Sequence, residues 1–166
     1  MTARGCRIGS RWVPSTSRAA LLVAALIGAG CAASRHDDLV LHRSAPTAAL
    51  GLPFSDAVRA GGLVFVSGQV GNRPGTLQLV PGGIGPESRQ ALDNLRAALV
   101  AAGSDLDRVV KVTVFLADIA EWPAFNAVYT SVFGDHLPAR SAVAGSGLAL
   151  GARVEVECIA LAGAAR

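Results

Sequence analysis

Between residues 51 and 166 the apolar positions switch repeatedly between a spacing of two and a spacing of three to four. "FSDAVRAGGLVFVSGQV" (54–70) holds two strand-like runs around Gly61-Gly62, a dipeptide that supplies positive φ for a hairpin turn. A glycine-rich, proline-containing connection from Gly71 to Pro86 follows, with room for one short extra strand. The period then becomes helical. Ala91, Leu92, Leu95, Ala98, Leu99 and Ala102 form one apolar stripe, Pro86 suits a first helical turn, and Gly103 suits the position after the last. "RVVKVTVFLAD" (108–118) predicts a strand with Val110, Val112, Val114 and Leu116 on one face and Lys111, Thr113 and Phe115 on the other. "EWPAFNAVYTSVFG" (121–134) predicts a second helix, with Trp122, Phe125, Val128, Tyr129 and Val132 on one face and Gly134 at its end. Two last strands fit "ARSAVAG" (139–145) and "RVEVECIAL" (153–161).

The order ββ(β)αβαββ predicts an α+β domain, its two helices packed on one face of a sheet. Alternation in the last strand sets Arg153, Glu155 and Glu157 opposite Val154, Val156 and Cys158. The face away from the core therefore carries charge, and is either exposed or meets another subunit around a polar site.

Composition changes the reading of the N-terminus most. A content of 51% hydrophobic and 16% charged residues over 166 positions suits a buried core and excludes a mainly disordered chain. The formal charge of +3 suggests an anionic partner. Yet Arg4, Arg7, Arg11 and Arg18 lie in the first 30 residues, which hold no acid. The rest keeps eleven of the 15 basic residues against all 12 acidic ones, a balance of −1. No run of Lys or Arg remains there, so nothing marks a nucleic-acid partner.

The basic stretch, the 12-residue apolar run from Ala19 to Gly30 and the small residues after it have the layout of a secretory signal peptide. The run is short for a membrane span, which needs roughly 20 residues. "GAGC" (28–31) resembles the lipobox of bacterial lipoproteins, with Gly28 where that motif most often has Leu. The expected organisation is a signal peptide over 1–30, cleavage before Cys31, a tether over 31–50 without clear period, and a folded domain over 51–166. The expected location is the cell envelope, with the membrane touched only through a lipid on Cys31; the alternative is the cytoplasm, if the start codon is mis-assigned. Cys6 leaves with the leader and Cys31 takes the lipid, so Cys158 stands alone and no disulfide framework forms within one mature chain. Its phase matches Val154 and Val156, the pattern of an inert buried thiol.

Six segments then carry a specific likeness. "FVSGQV" (65–70), "SRQALDNLRAALVAAG" (88–103), "VVKVTVFLADIAEW" (109–122), "FNAVYTSVFG" (125–134), "PARSAV" (138–143) and "VEVECIAL" (154–161) resemble, in order and spacing, the Rid (YjgF) family of reactive intermediate deaminases. The resemblance covers about Pro53 to Gly163. It implies a chorismate-mutase-like α+β fold with a mixed sheet, a homotrimer with ligand clefts between subunits, and no metal or organic cofactor. The implied activity is hydrolysis of enamines and imines, such as 2-aminoacrylate, to 2-keto acids and ammonia.

By periodicity alone Arg140 is a charge at a strand start; the resemblance makes it the clamp for the substrate carboxylate. A planar guanidinium can give that carboxylate two parallel N–H bonds, which lysine cannot. Glu155 matches the family glutamate that positions or activates water, although Glu157 shares its face and the residues alone divide that role evenly. Ser67 and Gly68 match cleft-lining positions, the one through its hydroxyl and the other through close backbone approach; a bulge or turn also accounts for Gly68. The backbone N–H of Ala142 matches one that assists carboxylate binding. Asn94, a poor helix former inside a helix, reads as structural. Phe54 departs from the tyrosine of many members: it keeps the ring wall and removes the hydroxyl donor. "AGSGLALGA" (144–152) departs by being less charged and more flexible than the usual segment.

Two functions follow: an imine deaminase carried by Arg140 and Glu155, and a non-catalytic small-carboxylate-binding trimer of the cell envelope, suggested by Phe54 and the lipobox-like leader. Ribonuclease activity, reported for some relatives, is disfavoured by the −1 balance. Mass spectrometry of the mature N-terminus is expected to find a lipid-modified Cys31 as the first residue, and processing is expected to be sensitive to globomycin.

Overall fold

The computed structural model describes residues 39–163. The leader, Cys6 and Cys31 lie outside the described residues. A six-stranded mixed sheet runs in the order β1-β2-β3-β6-β4-β5, built from β1 (Val40–His42), β2 (Ala57–Ala60), β3 (Leu63–Val70), β4 (Val109–Leu116), β5 (Ala139–Ala144) and β6 (Val154–Leu161). Only β4 and β5 pair in parallel; the other neighbours are antiparallel. The helices are α1 (Ala45–Ala49), α2 (Ile84–Ala101) and α3 (Trp122–Phe133).

One face of the sheet and the apolar sides of α2 and α3 form a single core. The α2 stripe is buried as its spacing predicts, with Ala91, Leu92, Leu95 and Leu99 at 0% exposure. Each such leucine contributes roughly 1.5–3 kcal/mol relative to an exposed one. From α3, Phe125, Tyr129 and Phe133 enter the core, while Trp122, Val128 and Val132 pack at its margin. Gly61 and Gly62, at φ 55° and 81°, make the predicted hairpin between β2 and β3.

Three expectations need correction. First, Val110 does not share the face of Val112. The register of β4 against β6 slips between Val109 and Lys111, so Val109 takes the core position and Val110 is 41% exposed. Second, the connection after β3 holds no further strand, only an isolated bridge between Asn72 and Leu79. Third, the ordered domain starts before Gly51, inside the expected tether: Val40–His42 pairs with β2, and α1 follows. These pieces are too short to leave a period, and tertiary hydrogen bonds hold them instead.

Asp56 is the anchor of that segment. Its carboxylate accepts the Ser44 backbone N–H at 2.6 Å and the buried Thr47 hydroxyl at 2.5 Å, while Ser44 caps α1. Burial opposes ionisation of Asp56, but these hydrogen bonds outweigh it and hold the carboxyl below the usual aspartate value. A depressed carboxyl adds stability that is present at neutral pH and is lost as pH falls through its lowered value. We expect Asp56→Asn to cost about 1–2 kcal/mol at pH 7 in urea unfolding, with the deficit shrinking as the pH is brought below the ordinary aspartate range.

Candidate active site

β2 pairs with β3 only as far as Val66, opposite Ala57. Beyond it the register of β3 against β6 slips between Val66 and Gln69, so Ser67 and Gly68 face the single residue Glu157 across the ladder. Glu155 lies further along, opposite Val70 on one side and Phe115 on the other. Its side chain folds back onto the bulge. A Cβ placed on Gly68 would stand 2.8 Å from the Glu155 Cδ, so only glycine leaves room for this carboxylate.

A cleft of about 660 Å³ opens beside the free part of β3. Phe54, Ser67, Gly68, Ala149, Leu150 and Glu155 line its end at the bulge. Burial raises the Glu155 pKa above the ordinary glutamate value, and the like charge of Glu157 adds to this. Glu157 does not line this cleft; it lines a smaller depression of about 160 Å³ with Phe65, Lys111 and Thr113. Of the two glutamates, Glu155 is the one that lines the cleft.

Arg140 is elsewhere. On β5 it stands opposite Val112, which in turn stands opposite Cys158, and both are buried on the helix side. Its guanidinium lies over the aromatic face of α3, with Cζ 4.4 Å from the Tyr129 ring centroid and 5.1 Å from that of Trp122. These cation–π contacts fix the planar fork without spending its N–H donors. Among the described residues no carboxylate lies within 4.0 Å of it. Alternation therefore puts Arg140 and Glu155 on opposite faces of the sheet, two strands or roughly 10 Å apart across it. Within one chain they do not meet.

The remaining expected residues divide in the same way. Phe54 is 46% exposed in the cleft with Ser67 and Gly68, whereas Ala142 shares the helix side of β5 with Arg140. The Ser67 hydroxyl donates to the Ser55 carbonyl at 2.7 Å, and its N–H to the Asp56 carbonyl. It thus ties the strap carrying Phe54 to the bulge, and only its lone pairs face a ligand. Asn94 is structural, its amide donating to the carbonyls of Val70 and Asn72. Cys158 is buried with its thiol pushed up to about 12, chiefly by burial, as suits an inert thiol. No three His, Cys, Asp or Glu side chains among the described residues converge to hold a metal.

Two features were not found in the sequence. Leu150 lines the cleft with a left-handed backbone, φ 61° and ψ 8°, the only described non-glycine residue with positive φ. That conformation costs roughly 1–2 kcal/mol for a side chain with a Cβ, and periodicity carries no sign of it. The second is the aromatic platform: Trp122, Phe125 and Tyr129 were predicted on one helix face, but nothing local says that Arg140 meets it.

Comparison with known proteins bears on this architecture. Residues 43–162 match the family described as Endoribonuclease L-PSP, the YjgF/RidA family. The chain belongs to this family. Among curated relatives, the mouse (Mus musculus) 2-iminobutanoate/2-iminopropanoate deaminase is 45% identical over 124 residues, covering 75% of this chain and 91% of that protein. Protein HMF1 of Saccharomyces cerevisiae is 45% identical over 121 residues, covering 73% and 92%. Among solved structures, yeast Mmf1 superposes with a TM-score of 0.65 at 36% identity, covering 75% of this chain and 94% of that one. E. coli TdcF with bound serine gives 0.62 at 34% identity, covering 66% and 87%. The mixed sheet with helices on one face is thus the fold of the Rid family.

In this Rid-family chain the Glu155 carboxyl is a titrating group with two identifiable perturbers. Carbon-detected NMR is expected to find its pKa above that of the free residue, and Glu157→Gln is expected to move it down by removing the like charge.

Proposed function

We propose that this protein hydrolyses reactive imines and enamines to 2-keto acids and ammonia, at a site made by two chains. The observation that carries this reading is the division of the catalytic pair: a preorganised guanidinium with no acid partner on one face of the sheet, and a cleft-lining carboxylate with a raised pKa on the other. A substrate that needs both must lie between one chain's β5 and another chain's bulge. A cyclic homotrimer satisfies this for every copy, since each chain gives Arg140 to one neighbour and Glu155 to the other. The names of the mouse and other mammalian relatives support the chemistry.

The steps follow from the groups present. Arg140, assisted by the Ala142 backbone N–H, holds the substrate carboxylate through two parallel hydrogen bonds. Water attacks the imine carbon, and Glu155 accepts the proton released as the C–O bond forms. In the resulting carbinolamine Glu155 returns that proton to the amine nitrogen, then accepts the hydroxyl proton as the C–N bond breaks, so that ammonia and the ketone leave and Glu155 passes the last proton to solvent. A pKa raised above the ordinary glutamate value makes Glu155 a better proton acceptor than an unperturbed glutamate and keeps its protonated form able to donate. An enamine enters the same route after protonation at carbon to the imine. No external cofactor is required for the balance of atoms or charge. The signal-peptide-like N-terminal sequence supports a location in the cell envelope, with Cys31 as the proposed lipid-bearing residue.

Phe54 favours one other reading. Without a phenolic hydroxyl at the cleft wall, water is held by fewer donors, and the trimer binds small carboxylates without turning them over.

Imine made in situ by an amino-acid oxidase, with semicarbazide competing for it, separates the two. We expect the purified domain to accelerate imine loss, Glu155→Gln to lower kcat about 10²-fold or more, and Arg140→Ala to act mainly through KM. No acceleration over buffer, or equal acceleration by Arg140→Ala, rules out the deaminase. A thermal shift with a keto acid that Arg140→Ala abolishes, in the absence of turnover, establishes the binding protein instead.

A further inference from the structure

Resting on the deaminase reading, we infer that this chain is selective for imines bearing long apolar side chains, and that Leu150 is a specificity-determining residue. The imine carbon carries three groups. The carboxylate goes to Arg140 of the adjacent chain and the nitrogen departs at Glu155, so the side chain has the remaining cleft to occupy.

In the single chain, before a neighbour's β5 closes against it, that cleft is far larger than a methyl or ethyl group requires. Its volume of about 660 Å³ lies within the range of roughly 300–1,000 Å³ that takes drug-sized ligands. Besides Phe54 and Leu150, its lining includes Leu50, Leu52, Leu77 and the small Ala97 and Ala101 of α2. Leu50, Phe54, Leu77 and Leu150 are between 40% and 49% exposed, so this one surface gathers large apolar side chains in contact with water. Contiguous exposed apolar area of this kind marks a place where an apolar group binds.

The polar groups along the same lining are largely engaged. Arg43 donates to the Leu52 carbonyl, Asp56 accepts from Ser44 and Thr47, and the Asn94 amide donates to two carbonyls. The Gln69 amide donates to the Ser67 carbonyl. Of the lining residues, His42 alone has a buried nitrogen without a partner among the described residues. A polar substrate side chain therefore finds few free partners next to Glu155, and an apolar one loses little there.

Leu150 supplies the specific element. A leucine at φ 61° holds a conformation that glycine or asparagine adopts more readily, and unfavourable backbone retained at a cleft rim accompanies ligand contact. Together Leu150 and Phe54 give the cleft two apolar walls near Glu155.

The test compares kcat/KM for the imines of norleucine and alanine, generated by the oxidase, alongside thermal shifts with 2-ketohexanoate and pyruvate. We expect a preference of at least about tenfold for the six-carbon imine and a larger shift with the six-carbon keto acid. Leu150→Lys is expected to remove most of that preference and Leu150→Met to retain it. Leu150→Gly, which relaxes the backbone, is expected to lose the preference without lowering the melting temperature. Turnover of the three-carbon imine with equal or greater efficiency, or a preference unchanged in Leu150→Lys and Leu150→Gly, overturns this inference and leaves the deaminase standing. Absence of both turnover and keto-acid binding overturns the two together.

Discussion

The two-residue repeat of β6 is the constraint from which the rest of the site follows. This strand lies between β3 and β4, and every second residue, from Val154 to Ala160, is buried against the helices. A slip of one position would drive Glu155 and Glu157 into that core, and burying two unpaired carboxylates costs far more than the core can return. Register is therefore set firmly, and the acids are held on the outer face two residues apart. Partial burial, with the like charge of Glu157 adding to it, is what raises the Glu155 pKa. That raised pKa, on which the proposed proton transfer relies, is a by-product of the rule that keeps the core dry.

The same rule, applied to β5, sends Arg140 to the other side. Parallel pairing sets it beside Val112, and the side chain enters the helix layer at the sheet's outer strand. A bare guanidinium against a hydrophobic layer would be costly to desolvate. Three aromatic rings of α3 make it tolerable, because their faces attract the cation while its donors stay available. Two strands of one sheet thus hold Arg140 and Glu155 at positions that cannot be joined inside a single chain, and under the proposed chemistry assembly becomes part of the reaction.

How much of this can be read from the residues depends on whether a feature is periodic. The α2 stripe, the alternation of β6 and the α3 face recur at fixed spacing, so one helix or strand reveals itself without its neighbours. Val110 misleads because a bulge shifts phase without any residue type to announce it. β1 and α1 escape because three and five residues cannot establish a period, and Asp56, the group that fixes them, lies in another segment. Arg140 and Glu155 were visible through family resemblance, but their placement on opposite faces depended on strand order and register. Leu150 left no local trace at all: a left-handed leucine is unremarkable in sequence, and only the backbone and the cleft around it give it meaning.

Charge complementarity joins these pieces under the proposed chemistry. An iminium acid is dipolar, with a negative carboxylate and a positive nitrogen, and the two chains offer it a guanidinium and a carboxylate in matching order. Hydrolysis turns the cationic carbon–nitrogen group into a neutral ketone. The attraction to Arg140 survives that change, whereas the attraction to Glu155 does not, so the keto acid is held by one charge where the substrate was held by two. Desolvation strengthens this difference, since both charges act inside a partly closed cleft. The reaction thereby weakens its own product complex at Glu155. That leaves the apolar side-chain arm as the remaining grip on the product, and it ties turnover to how tightly Phe54 and Leu150 hold what passes between them.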